Sequence, residues 1–107
     1  MAISQLVKQT RETFSIYGGI ANVAATAEEI IAHADTEVLC EDKDGADVAA
    51  TLLQGSPSIA TSGLRLYQRI KAAGGSEAQS PYKVTFLMWT NQSNLYEKDV
   101  FLYIKDR

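Results

Sequence analysis

The sequence predicts an all-β fold, a small β-sandwich of about six or seven short antiparallel strands. Three observations carry this. Apolar and polar residues alternate with period 2 in "FSIY", "ADTEVLCE" and "LRLYQRIK". Turn signals, Gly18-Gly19, Asp44-Gly45, Gly55 with Pro57, and Gly63, recur through the chain. The last quarter, "KVTFLMWTNQSNLYEKDVFLYIK", has two β-rich runs around a polar turn.

Residues 1–9 are taken as a lead-in to a single domain spanning 1–107. The first expected strand is "ETFSIYGG", ended by its glycine pair. In "IANVAATAEEIIAHADTEVLCEDKDG" the Ala- and Glu-rich first half favours a helix over 22–34 by propensity. The second half alternates, with Ala32, Ala34, Thr36, Val38 and Cys40 on the expected inner parity and His33, Asp35, Glu37, Leu39 and Glu41 on the outer. A strand over 31–41 is expected, preceded by an irregular connection with at most a helical turn. "DKDG" is a tight turn, because Asp-Gly tolerates positive φ. "LRLYQRIK" forms a strand with Arg65, Tyr67, Arg69 and Lys71 outward, and 72–81 a flexible loop. In the closing hairpin, a three-residue loop of Gln92, Ser93 and Asn94 with Asn94 left-handed would pair Asn91 with Leu95, Phe86 with Val100, Val84 with Leu102 and Tyr82 with Ile104. Val84, Phe86, Val100, Leu102 and Ile104 are the expected core. The strand spacing suits an immunoglobulin-type sandwich.

Composition narrows the function. Hydrophobic residues make up 46% of the chain and charged residues 21%, the balance of a globular domain. The net charge of −3 and a pI near 5.0 argue against a general nucleic-acid binder, which needs a basic surface. The apolar runs are too short to span a bilayer as helices. "MAISQLVKQTRE" has no basic segment followed by an apolar one, so no signal peptide is expected. A lone cysteine, Cys40, forms no internal disulfide.

Catalytic and metal chemistry find little support. "DKDGAD" resembles the opening of a calcium loop, but its twelfth position is Leu53 rather than Glu, and a solvated turn is expected. His33 and Cys40 stand seven residues apart on one expected strand, about 23 Å, too far for a nucleophile–base pair. Cys40 is expected to be a buried small hydrophobe. The carboxylates Glu28-Glu29 and Glu97 with Asp99 are expected to solvate loops and edges. No cofactor is expected.

Two surfaces suggest contacts. Arg65, Tyr67, Arg69 and Lys71 make a basic strip with one aromatic, for which Asp35, Glu37 and Glu41 offer an acidic complement. Leu87, Trp89, Phe101 and Tyr103 fall on the hairpin face opposite the core. Such an apolar face is either an assembly surface or covered by the segment from Ile3 to Val7.

These segments resemble a family of small β-sandwich structural proteins of tailed bacteriophages, the fibre–tail adaptor or head–tail region proteins. The resemblance covers most of the chain: "VKQTRETFSI", "NVAATAEEI", "EDKDGADVAATLLQGSPSI", "RIKAAGG" and, most closely, "YKVTFLMWTNQSNLYEKDVFLYIKD". The chain differs in having Thr10-Arg11 for a Pro-Gly step, Ala27 where Gly is common, an insertion at 79–81, and Gln92-Ser93 in place of a Gly-containing turn. The resemblance favours strand over helix from Ile31 onward. It implies a non-enzymatic virion protein, assembled in the bacterial host cytoplasm, that acts as an adaptor at the neck, tail or fibre attachment point. Its partners would be other phage structural proteins and further copies of itself in a symmetric ring, with neither nucleic acid nor membrane. A capsid decoration or glycan-binding adhesion module is the alternative.

Overall fold

The computed structural model describes residues 3–9, 14–71 and 76–105; for 3–9 only the backbone path is described. Among these residues are seven strands: β1 (Ile3–Gln9), β2 (Phe14–Gly19), β3 (Glu37–Glu41), β4 (Leu53–Ile59), β5 (Arg65–Ile70), β6 (Tyr82–Trp89) and β7 (Leu95–Lys105). One short helix, α1 (Ala49–Leu52), precedes β4. The strands form two sheets, β1-β7-β6-β3 and β2-β5-β4, and the predicted all-β sandwich is the fold observed.

Alternation places the core. On β6 and β7, Tyr82, Val84, Phe86, Met88, Val100, Leu102 and Ile104 are buried on the inner face. The three-stranded sheet meets them with Ile16, Leu66 and Ile70, and Ile20, Ile30 and Leu52 close the ends. All five core residues expected from the sequence lie in this cluster. The sheets pack tightly at Gly18, where a Cβ would sit 2.7 Å from Phe86 Cβ. Gln68 is polar yet buried. Its amide donates to the carbonyls of Gln54, Gly55 and Arg69 at 3.0–3.3 Å, satisfying the irregular stretch of β4 where Gly55 takes a φ of +72°.

Several expectations are corrected. Residues 3–9 are a strand rather than a lead-in, and β1 runs parallel to β7, so the sandwich is not wholly antiparallel. β1 lies beside β7 and extends its sheet, so it does not fold over the hairpin's outer face as the covering alternative required. The strand expected over 31–41 begins only at Glu37. Ahead of it, Ile30 bridges Thr90 and the Ile31 N–H donates to Trp89 O at 2.9 Å. Ala32 and Ala34 are exposed rather than inward. The irregular connection expected ahead of the strand is observed, with turns and no helix over 22–34. Of the loop expected over 72–81, residues 72–75 lie outside the described residues, as does the Thr10-Arg11 difference; 77–79 form a turn.

The hairpin register differs by two residues. Trp89 pairs with Leu95, Phe86 with Lys98, Val84 with Val100 and Tyr82 with Leu102. A two-residue slip keeps every side chain on its face, so the apolar pattern cannot distinguish the two registers. The turn decides. Thr90 N donates to Asn94 O at 2.9 Å, which leaves Asn91, Gln92 and Ser93 as the loop, with Ser93 rather than Asn94 left-handed at a φ of 60°. The Thr90 hydroxyl accepts the Gln92 and Asn94 N–H groups at 3.3 Å, which fixes the facing pair.

Candidate functional site

Three features stand out: a carboxylate hub at the hairpin tip and the outer faces of the two sheets. The hub was missed by the sequence reading, which assigned Glu28 to solvation. Glu28 is 2% exposed. Its Oε2 accepts from the Thr90 hydroxyl at 2.6 Å and Asn94 Nδ2 at 2.8 Å; its Oε1 accepts from the Tyr96 hydroxyl at 2.9 Å and Ala25 N at 3.0 Å. The Thr90 hydrogen bond, then those from Ala25 and Asn94, pull the Glu28 carboxyl down to about 2, against burial, which opposes ionisation. The Tyr96 hydroxyl is shifted upward, first by its bond to Glu28. Asn91 adds a second clasp: its Oδ1 accepts Glu29 N at 3.0 Å and its Nδ2 donates to Ala27 O at 3.2 Å. These contacts tie residues 25–29 to the tip, a structural use of charge.

Ala27 within this segment has a φ of 62°. An L-residue there carries about 1–2 kcal/mol of strain, which Gly avoids. Ala27→Gly should therefore raise stability by about 0.5–1 kcal/mol after the greater freedom of Gly in the unfolded chain is subtracted. A thermal melt checks this, and an unchanged or lower midpoint would contradict the strain.

The outer face of the four-stranded sheet carries four of the expected interface residues, Leu87 and Trp89 on β6 and Phe101 and Tyr103 on β7, all half-buried. They do not form one patch. Leu87 stands between Glu37 and Glu97, and Phe101 stands beside Lys83. Between these rows lie Thr85 and Asp99, joined by a 2.9 Å hydrogen bond. Trp89 is instead covered by His33, whose ring stacks on it at 4.9 Å. Phe101 borders a shallow depression of about 300 Å³ with Glu41, Pro81 and Lys83, and Lys83 lies 3.5 Å from the Glu41 carboxylate. The most exposed apolar side chains here are Leu39 and Leu95, which the sequence reading did not single out.

The outer face of the three-stranded sheet carries the rest. Arg65 and Arg69 are exposed and Tyr67 is half-buried, all on β5. The register adds Tyr17 from β2, directly beside Tyr67, with ring centroids 5.6 Å apart. The Arg65 guanidinium lies 4.6 Å from the Tyr17 ring centroid, within cation–π range. A hydrogen bond with Tyr67 is the main influence raising the Arg65 pKa further. The remaining positions paired across this face, Ser15, Gly19, Gln54 and Ser58, are uncharged. Lys71 leaves the strip, its Nζ donating to Ala50 O at 2.6 Å.

The residues weighed for chemistry have other roles. Asp42 Oδ1 accepts the N–H groups of Asp44 and Ala46 at 2.9 and 3.0 Å, which holds the "DKDG" turn. Among the described residues no three His, Cys, Asp or Glu side chains converge as a metal site. The Cys40 thiol is pushed up to about 12, first by burial and then by Asp47, Asp42 and Glu41, so it is a poor nucleophile at neutral pH. No family model matches the chain, and no curated protein matches it.

Proposed function

We propose that the chain is a non-enzymatic structural protein of a tailed-phage particle, an adaptor that works through the outer faces of its two sheets. The observation that carries this reading is the separation of chemistry between those faces. One displays arginine and tyrosine, and the other displays carboxylates with exposed leucines. Arginine and tyrosine are residues that often dominate binding energy. The strand order lends further support. Taking β2 to β7 as strands B to G, the sheets divide as B-E-D and C-F-G, the division of immunoglobulin-type sandwiches. The motif resemblance in the hairpin and the "DKDG" turn points the same way.

The test is deletion of the gene from the phage that encodes it, with complementation. Particles lacking the protein should be defective in head–tail joining or fibre attachment, and antibody against it should label the neck, tail or fibre base of complemented particles. The variant Trp89→Ser with Phe101→Ser should fold, because neither side chain is in the core, and should fail to enter particles. Loss of folding in this variant, or label spread over the capsid with normal particle joining, would count against the adaptor; the latter would favour a decoration protein.

A further inference from the structure

We propose that the outer face of the β2-β5-β4 sheet docks onto the outer face of the β1-β7-β6-β3 sheet of a second copy, joining chains head to tail. This rests on reading the chain as an assembly module and names one contact of that module.

Charge complementarity selects the partner. The first face presents Arg65 and Arg69 beside Tyr17, which is 45% exposed, and its register positions hold no carboxylate. The second presents Glu37, Glu97 and Asp99, with Glu41 beside Lys83. Exposed Leu39 and Leu95, at 44% and 50%, give it apolar area among those charges. Docking either face on its own kind would set like charges against each other, whereas docking one on the other sets guanidinium groups against carboxylates. The faces belong to different sheets and point away from each other, so they meet only between molecules. Such a heterologous contact repeats, giving a ring if the rotation closes and a filament if it does not.

The same face suits single-stranded nucleic acid less well. A stacking platform presents open aromatic faces along a positively charged groove. Here the tyrosines are tilted by 55°, a guanidinium lies over Tyr17, and the chain is net acidic.

Sedimentation velocity on the full chain tests the contact, over a concentration series at low and high salt. The wild type should associate as concentration rises, and salt should weaken the association. Arg65→Glu with Arg69→Glu should be monomeric alone, and so should Glu37→Lys with Glu97→Lys. Mixing the two variants should restore association, because each then meets a face of opposite charge. Circular dichroism establishes that both are folded; the substituted side chains are exposed and outside the core. A wild type that stays monomeric at low salt, a variant that associates alone as the wild type does, or a mixture that stays monomeric would each overturn the proposal. Binding of a labelled oligothymidylate that is lost in the arginine variant would also overturn it and reassign the face. Failure here leaves the adaptor reading standing, since an adaptor can bind other proteins alone, and failure of particle incorporation leaves this contact standing.

Discussion

Phe86→Ala should destabilise the protein by about 3–5 kcal/mol, the usual cost of removing a buried aromatic ring from a core. Phe86 is fully buried on β6, and the opposite sheet approaches it so closely that only Gly18 fits there. A domain of this size has about 5–15 kcal/mol in total, so this loss is a large share of it and should lower the urea midpoint markedly. The reverse change tests the same contact from the other side. Gly18→Ala would place a Cβ 2.7 and 2.8 Å from Phe86 Cβ and Cγ. Those atoms lie next to the backbone, so no rotation at the end of the side chain relieves the clash, and a cost of about 1–3 kcal/mol is expected. In the Phe86→Ala background Gly18→Ala should cost less, because Cγ and the ring are gone, although the contact with the Cβ that alanine keeps remains. Urea denaturation of the four proteins gives the coupling directly. Additive effects would mean that the ring of Phe86 takes no part in the clash at Gly18.

Glu28→Gln should lower the melting temperature by several degrees at neutral pH, and Glu28→Ala by more. The carboxylate accepts four hydrogen bonds, of which the one from Thr90 is buried and the other three are part-buried. An amide can accept with its oxygen, but its NH₂ then faces the donors of Thr90 and Asn94 or those of Tyr96 and Ala25. The pH dependence identifies the mechanism. The folded-state pKa, about 2, lies below the ordinary value of 4.5. The stabilisation is therefore complete above about pH 4.5 and is lost as pH falls toward 2. The wild type minus Glu28→Gln difference in melting temperature should shrink over that window and be flat above it. Tyr96 gives a second readout. Its raised pKa owes most to Glu28, so in Glu28→Gln the phenol should titrate nearer its ordinary range in an absorbance titration. A difference independent of pH would show that the hub contributes packing rather than a held charge.

Much of the fold could be read from local pattern. Period-2 alternation set β2 and β5, two β-rich runs around a polar turn set β6 and β7, and parity put the right five side chains in the core, because a strand's inner face is written at every second residue. The same parity put Arg65, Tyr67 and Arg69 outward. Asp44-Gly45 and Gly63 marked turns correctly, since positive φ is a local requirement, whereas Gly55 and Pro57, expected to break the chain, lie within β4 at its irregularity, and Ala27, where the resembled family commonly has Gly, sits at positive φ. Parity could not choose between hairpin registers two residues apart. A threonine hydroxyl and a carboxylate more than 60 residues away settle that choice. The strand character of Ile3–Gln9 was equally hidden, because a parallel edge pairing takes its partner from the far end of the chain. Glu28 next to Glu29 looked like two solvated charges, and only the fold brings Thr90, Asn94 and Tyr96 around one of them. The outer faces divide the same way. The sequence by itself determined which residues leave the core, since that needs only alternation along one strand. Tertiary structure alone decided which of them are neighbours, separating Leu87 from Phe101 by a polar row and setting Tyr17 beside Tyr67 under Arg65, because adjacency on a sheet depends on pairing between segments distant in the chain.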